Sequence, residues 1–249
     1  MRILCTNDDG LGAVGLTHLV EICSRIGEVT CVAPDREQSA MSHALTLSRP
    51  LRASRRGSSS FAVDGTPTDS VLLALGALVG ERPDFVVSGI NHGPNMGEDV
   101  LYSGTVAAAM EGLAFGVPGV AVSLATRDTS LIASYCDVLE RLLRQIMDPE
   151  RFPPDTLLNI NLPPVPASEA KGVRVTTLGK RVYSEALTRM EDPRGREMWW
   201  IGGGQLSWSG REDSDFQAVE DGQISVTPLH VDLTNYQLLE TVRLWRLSV

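Results

Sequence analysis

Five consecutive residues, Thr6-Asn7-Asp8-Asp9-Gly10, concentrate chemistry near the start of the chain. They follow the apolar run Ile3-Leu4-Cys5, which reads as a β-strand, so two adjacent carboxylates fall where that strand ends. Successive side chains of a strand point to opposite faces, but a turn at its end lets both aim at one point. Two anions held together are unfavourable without a positive group between them. A hard dication such as Mg²⁺ or Mn²⁺ takes carboxylate oxygens as ligands. A solvated Asp-Asp-Gly turn is the competing reading, because Asp and Gly are common turn residues.

The elements that would position these groups alternate strand and helix. Strands are expected at 2–6, 29–33, 85–88 and 120–124, with helices at 14–26, 68–79 and 105–115. That is the pattern of an α/β fold, a Rossmann-like parallel sheet flanked by helices. Thr66 is a candidate N-cap with Pro67 behind it in the first turn. Two β-prone runs, 44–47 and 61–63, flank a Ser/Arg/Gly loop and predict an inserted hairpin. A helix at 131–147, a strand at 157–161, short β-prone runs at 173–177, 198–201 and 224–227, and a closing helix at 233–247 complete the reading. It divides the chain into an α/β core, residues 1–170, and a β-rich extension, residues 171–249, suited to subunit contact. Trp199, Trp200 and Trp208 either cover such a contact or form the local core of a small subdomain, and the sequence leaves the two level.

Ligands of an open parallel sheet bind beyond the carboxyl ends of its strands. Asp8 and Asp9 follow the first strand, Pro34-Asp35-Arg36-Glu37-Gln38-Ser39 the second, and Gly89-Ile90-Asn91-His92-Gly93-Pro94-Asn95 the third, while Tyr102-Ser103-Gly104-Thr105 opens a helix. Asp8 and Asp9 supply negative oxygens, and Ser39 and Asn91 supply neutral ones, a donor set for a hard cation. Ser103, Gly104 and Thr105 offer backbone N–H groups and hydroxyls to an anion. Singly, Ser103 and Thr105 read as N-caps, and Asn91 and Asn95 as turn residues. Four such segments meeting at one sheet edge favour a site. His18 reads as a packed or surface residue. His43 and His92 fall near the site and are read as hydrogen-bonded structural residues outside it.

With 249 residues, 43% hydrophobic and 21% charged, the chain can bury a sizeable core. A formal charge of −9 disfavours duplex nucleic acid as a partner, and the one dense basic cluster, Arg52, Arg55 and Arg56, reads as a solvated loop. No apolar stretch approaches a membrane span, and no secretory leader is read at the N-terminus. The four cysteines, without a C-x-x-C pair, suit a reducing compartment, so the expected location is the cytoplasm. The metalloprotease, P-loop and G-x-S-x-G templates are absent. One rival motif stands: Gly10-Leu11-Gly12-Ala13-Val14-Gly15 matches the dinucleotide-binding G-x-G-x-x-G, with Asp35 after the second strand. It would make the chain a dinucleotide-dependent oxidoreductase, but Asp8 and Asp9 would then repel the pyrophosphate.

The motifs Thr6-Asn7-Asp8-Asp9-Gly10, Ala33-Pro34-Asp35 with Gln38-Ser39, Gly65-Thr66-Pro67-Thr68-Asp69, Ser88-Gly89-Ile90-Asn91 and Tyr102-Ser103-Gly104-Thr105-Val106 resemble, in order and spacing, those of the SurE (survival protein E) nucleotidases. So do Leu158-Asn159-Ile160-Asn161-Leu162-Pro163 and Ile224-Ser225-Val226-Thr227-Pro228-Leu229. The resemblance implies a phosphoric monoester hydrolase dependent on one Mg²⁺ or Mn²⁺ per subunit. Its substrates would be nucleoside monophosphates, at the 5′ and also the 3′ position. It implies Asp8, Asp9, Ser39 and Asn91 as metal ligands, Asn95, Ser103, Gly104 and Thr105 as phosphate contacts, and a homodimer or homotetramer exchanging its C-terminal β extension. Ser70 stands where many members carry cysteine, and 54–60 is variable in the family. The expected chemistry is attack by a metal-activated water, with Asp8 and Asp9 as catalytic residues. Two alternatives stay open, an attacking carboxylate and a metal-stabilised binding protein without turnover.

Overall fold

Apolar runs buried on both faces set the architecture. In the structure, a computed structural model describing residues 1–153, 155–183, 187–201 and 206–247, the chain order is as follows. β1 (Arg2–Thr6), α1 (Val14–Ser24), β2 (Glu28–Pro34), β3 (Ala53–Gly57), β4 (Ser60–Val63), α2 (Pro67–Leu73), β5 (Phe85–His92), α3 (Gly104–Ala114) and β6 (Gly119–Leu124) come first. α4 (Ile132–Ile146), β7 (Leu157–Leu162), β8 (Val173–Val175), β9 (Lys180–Tyr183), β10 (Leu187–Glu191), β11 (Glu197–Ile201), β12 (Leu206–Ser209), α5 (Asp215–Glu220), β13 (Ile224–Leu229) and α6 (Leu239–Leu244) follow.

Nine strands form one sheet in the order β3-β4-β2-β1-β5-β6-β7-β13-β8. The run from β4 to β7 is parallel, whereas β3 lies antiparallel to β4 and β13 antiparallel to β7. Side-chain alternation divides the core into two layers. Ile3, Cys5, Phe85, Val87, Val120 and Val122 pack with Leu16, Leu19 and Ile22 of α1 and Tyr135, Leu139 and Leu143 of α4. Leu4, Val32 and Val86 face Val71 of α2 and Ala108 of α3, and Ala121 packs with Val106 and Ala109 of α3. Because both faces are covered, β5 and β6 read as continuous apolar runs. From β1 the chain first builds outward to β2, then returns to place β5 on the other side. The order therefore reverses between β1 and β5, where a ligand crevice is expected. Among the described residues no helix is long and apolar enough to cross a membrane.

Two expectations are corrected. The inserted hairpin exists, but its first strand is β3, inside the stretch expected as a loop, and 44–47 is not a strand. Ala44 and Thr46 lend their backbones elsewhere. The Thr66 hydroxyl donates to the Ala44 carbonyl at 2.7 Å, and the Thr46 N–H donates to Asp69 Oδ1 at 3.0 Å. The polar residues of β3 are tolerated because it is an edge strand, with the Arg55 guanidinium lying 4.9 Å over the Phe61 ring. The closing helix at 233–247 shrinks to α6 after the single turn Tyr236–Leu238, because Asp232 accepts the Thr234 N–H and the Tyr236 hydroxyl and holds that stretch as a turn.

The C-terminal strands outside the main sheet form two antiparallel pairs, β10 with β11 and β9 with β12. The tryptophans differ in their surroundings. Trp208 stacks on Phe216 at 5.7 Å, while Trp199 and Trp200 are 57% and 67% exposed.

α2 opens with a capping box: Asp69 N–H donates to the Thr66 hydroxyl while Thr66 N–H donates to Asp69 Oδ2. Asp69 thus holds both the helix start and the β2–β3 connection. Asp69→Ala is expected to lose about 1–3 kcal/mol in urea unfolding and to open that connection to proteolysis. A change below about 0.5 kcal/mol would contradict this role.

Candidate active site

The Asp-Asp-Gly turn forms, yet Asp8 is buried and Asp9 only partly exposed. Asn7 Nδ2 donates to the Gly10 carbonyl at 3.0 Å and closes the turn. Gly10 takes φ +97°, and a Cβ there would meet the Arg36 backbone at 3.0 Å. Asp8 is then only 5% exposed. Its Oδ1 accepts the Thr105 hydroxyl at 2.5 Å. α3 comes so close that a Cβ on Gly104 would lie 2.8 Å from the Asp8 Cβ. Burial pushes the Asp8 carboxyl up to about 6, with the Asp9 charge adding to the rise and hydrogen bonds from the Thr105 hydroxyl and backbone N–H opposing it. Burial raises Asp9 as well, against His92, whose N–H donates to Asp9 Oδ2 at 3.4 Å and whose Nδ1 lies 3.8 Å from that oxygen.

Both carboxylates open onto a crevice of about 680 Å³ at the carboxyl edge of the sheet. Six of the residues singled out from the sequence line it together: Asp8, Asp9, Ser39, Asn91, Asn95 and Ser103. Ser39 donates to Glu37 Oε1 at 2.7 Å, and Asn91 Nδ2 donates to the Gly93 carbonyl at 2.8 Å, so the side-chain oxygen of Asn91 is its acceptor atom. Asn95 is held from β7, because Asn159 and Asn161 donate to its carbonyl at 2.8 and 3.0 Å and Asn161 accepts its N–H at 2.9 Å. Its own Nδ2 donates to Ser123 at 2.8 Å. Ser103 caps α3 through Val106 N–H. Gly104 and Thr105 do not line the crevice. They sit behind Asp8, so the anion at this helix start is one of the protein's own side chains.

The sequence did not single out Asp99, Tyr102, Thr126, Arg127 or Arg181 as site residues, and all of them line the crevice. Thr126-Arg127 follows β6, so the strand-end rule applied to a fourth strand finds it. Arg181 lies on β9 and has no local signal. Its guanidinium pairs with Asp99 and lies 5.3 Å from the Phe216 ring centroid. Asp215 anchors this wall by accepting N–H groups from Gly97, Gly179 and Phe216 at 2.8, 2.9 and 2.9 Å. His43, left outside the site, pairs with Glu111 at 2.7 Å.

The donors converging on the crevice suit a hard dication: two carboxylates, an amide oxygen and a hydroxyl. In the rival glycine motif, Gly15 serves packing, since a Cβ there would fall 1.9 Å from the Ile90 carbonyl oxygen, and Gly10 serves the acidic turn.

With this geometry in hand, the comparisons are decisive on family. The model of the family "Survival protein SurE" matches residues 3–185. A 5'-nucleotidase SurE from Gemmatimonas aurantiaca is 57% identical over 248 residues, covering 98% of both chains. One from Geobacter metallireducens is 50% identical over 245 residues, covering 98% of this chain and 97% of its own. The crystal structure of a SurE protein from Aquifex aeolicus superposes with a TM-score of 0.89 at 38% identity, covering 99% of this chain and all of its own. The chain belongs to the SurE family.

The buried Asp8 carboxylate predicts a pH signature in the metal-free protein. Its pKa rises from 3.8 unfolded to about 6 folded. The neutral acid therefore contributes stability that is fully present below pH 3.8 and lost as pH rises through about 6. A shift of this size corresponds to about 3 kcal/mol. Asp8→Asn should raise the Tm of metal-free protein at pH 8 and not at pH 4. An equal fall in Tm at both values would refute the burial argument.

Proposed function

We propose that this chain is a divalent-metal-dependent phosphomonoesterase that releases phosphate from nucleoside 5′-monophosphates, with the 3′ position as a second point of attack. The observation that carries the reading is the pair of adjacent carboxylates, Asp8 buried and Asp9 partly buried, facing one polar crevice at the sheet's switch point. The names of the relatives support the nucleotidase activity.

Asp8, Asp9, Ser39 and Asn91 would hold Mg²⁺ or Mn²⁺. When bound, the ion polarises the phosphoryl group and lowers the pKa of a coordinated water. Thr105 and Gly104 keep the Asp8 carboxylate in place, and His92 does the same for Asp9. Asn95 and Ser103, which reach the crevice, are the phosphate contacts, and the hydrogen bonds from Asn159 and Asn161 fix Asn95 before substrate arrives. The crevice of about 680 Å³ has room for the nucleoside beyond the carboxylate pair. Four free cysteines suit a cytoplasmic enzyme. The exposed Trp199 and Trp200 suit a self-association surface on β10 and β11, which would make the protein a homodimer or homotetramer.

Phosphate release from AMP tests the reading. Activity should vanish with EDTA, return with Mg²⁺ or Mn²⁺, and fall by at least about a hundredfold in Asp8→Asn. Release untouched by EDTA, or none with any dication, would overturn it. For the assembly, replacing Trp199 and Trp200 by serine should reduce the mass seen in light scattering, and an unchanged mass would overturn that role.

A further inference from the structure

Charge balance in the crevice singles out one side chain beyond those above. Its lining carries four carboxylates, Asp8, Asp9, Glu37 and Asp99, against two guanidinium groups, Arg127 and Arg181. Arg181 is committed to Asp99, with its side chain only 10% exposed. A bound dication offsets two of the remaining three negative charges, so one is left over before a phosphomonoester dianion enters. A dianion entering a net-negative cleft is repelled unless another cation faces it. Arg127 is that cation. It is exposed, lines the crevice, and makes no hydrogen bond or ion pair with a described residue.

The backbone around Arg127 is held by hydrogen bonds although its side chain pairs with no described residue. Thr126 N–H donates to the Leu124 carbonyl at 2.7 Å, Asp128 N–H donates to the Thr126 hydroxyl at 3.2 Å, and Asp128 accepts the Ser130 N–H at 3.0 Å. This tight turn fixes where the side chain leaves the β6 end. Arg127 lines the same crevice as Asp8 and Asp9, so it borders the cavity that the phosphoryl group would enter. A guanidinium with all its N–H groups uncommitted matches a phosphate in planar two-point contact, which an ammonium cannot reproduce.

We infer that Arg127 is a substrate-binding residue that contacts the phosphoryl oxygens, and that its share of the binding is made to phosphate rather than to the nucleoside. The assignment rests on the phosphomonoesterase reading. It adds a second cationic contact beside the metal, with the planar donor pair of a guanidinium that the neutral groups Asn95 and Ser103 do not supply.

The test compares the parent protein with Arg127→Gln and Arg127→Lys, all loaded with Mn²⁺. Inorganic phosphate, which lacks the nucleoside, is the probe for direct binding by calorimetry. Arg127→Gln should weaken phosphate binding, and raise KM for AMP, by about ten- to a hundredfold. Arg127→Lys should recover part of the loss, and the Mn²⁺ affinity of all three should agree within about twofold. Because the side chain is exposed, both variants should fold with the parent's Tm. Phosphate affinity unchanged by Arg127→Gln overturns the assignment whatever happens to turnover, as does a loss of equal size in Mn²⁺ affinity. A parent that binds phosphate but releases none from AMP would instead defeat the catalytic reading, and the calorimetric comparison would still decide Arg127.

Discussion

Holding Asp8 and Asp9 side by side, Asp8 buried and Asp9 partly so, is the constraint around which the rest of the molecule is arranged. An ionised carboxylate is strongly disfavoured in a poorly solvated place, and a second one beside it adds repulsion. The structure keeps both there through several independent devices. The left-handed Gly10 turns the chain so that the two aim together, Gly104 brings the start of α3 against Asp8, Thr105 donates to Asp8, and His92 donates to Asp9. These groups come from β1, β5 and α3, which meet only because the strand order reverses between β1 and β5. The hydrogen bonds to Asp8 lower its pKa but do not cancel the effect of burial, which leaves the carboxyl near 6. The carboxylate pair therefore lacks a counter-charge, which is the role the proposed dication would fill.

The second half of the chain supplies the opposite wall. Asp215 collects three backbone N–H groups and so joins the rim after Asn95 to the stretch leading into β9. Gly97 is needed there, since at φ +54° a Cβ would meet the Gly179 carbonyl oxygen at 2.7 Å. The same junction fixes Arg181 against Phe216 and Asp99. The β-rich extension is thus part of the crevice as well as a candidate surface for association.

Much of this was legible in the sequence, for identifiable reasons. β1, β5 and β6 are apolar on both faces, and the polar segments that follow the strands, with the acidic turn after the first, mark the edge where ligands bind. The turn of 44–47 was not legible. Its alternating Leu45 and Leu47 imitate a strand, but both are exposed, and the backbone is claimed by Thr66 and Asp69 from α2. The same distance effect hid Arg181 and the clamp on Asn95, whose partners Asn159 and Asn161 read locally as strand residues. Thr105 was misjudged in direction more than in place, since its hydroxyl at the helix start faces Asp8 and not the crevice. Contacts between residues far apart in the chain leave no periodicity to read.

The most direct measurement is an anomalous difference map from crystals grown in MnCl₂, recorded near the manganese edge. The account predicts one strong peak per subunit, with oxygens of both Asp8 and Asp9 at about 2 Å. A map with no peak between them, or with manganese bound only elsewhere, would contradict it.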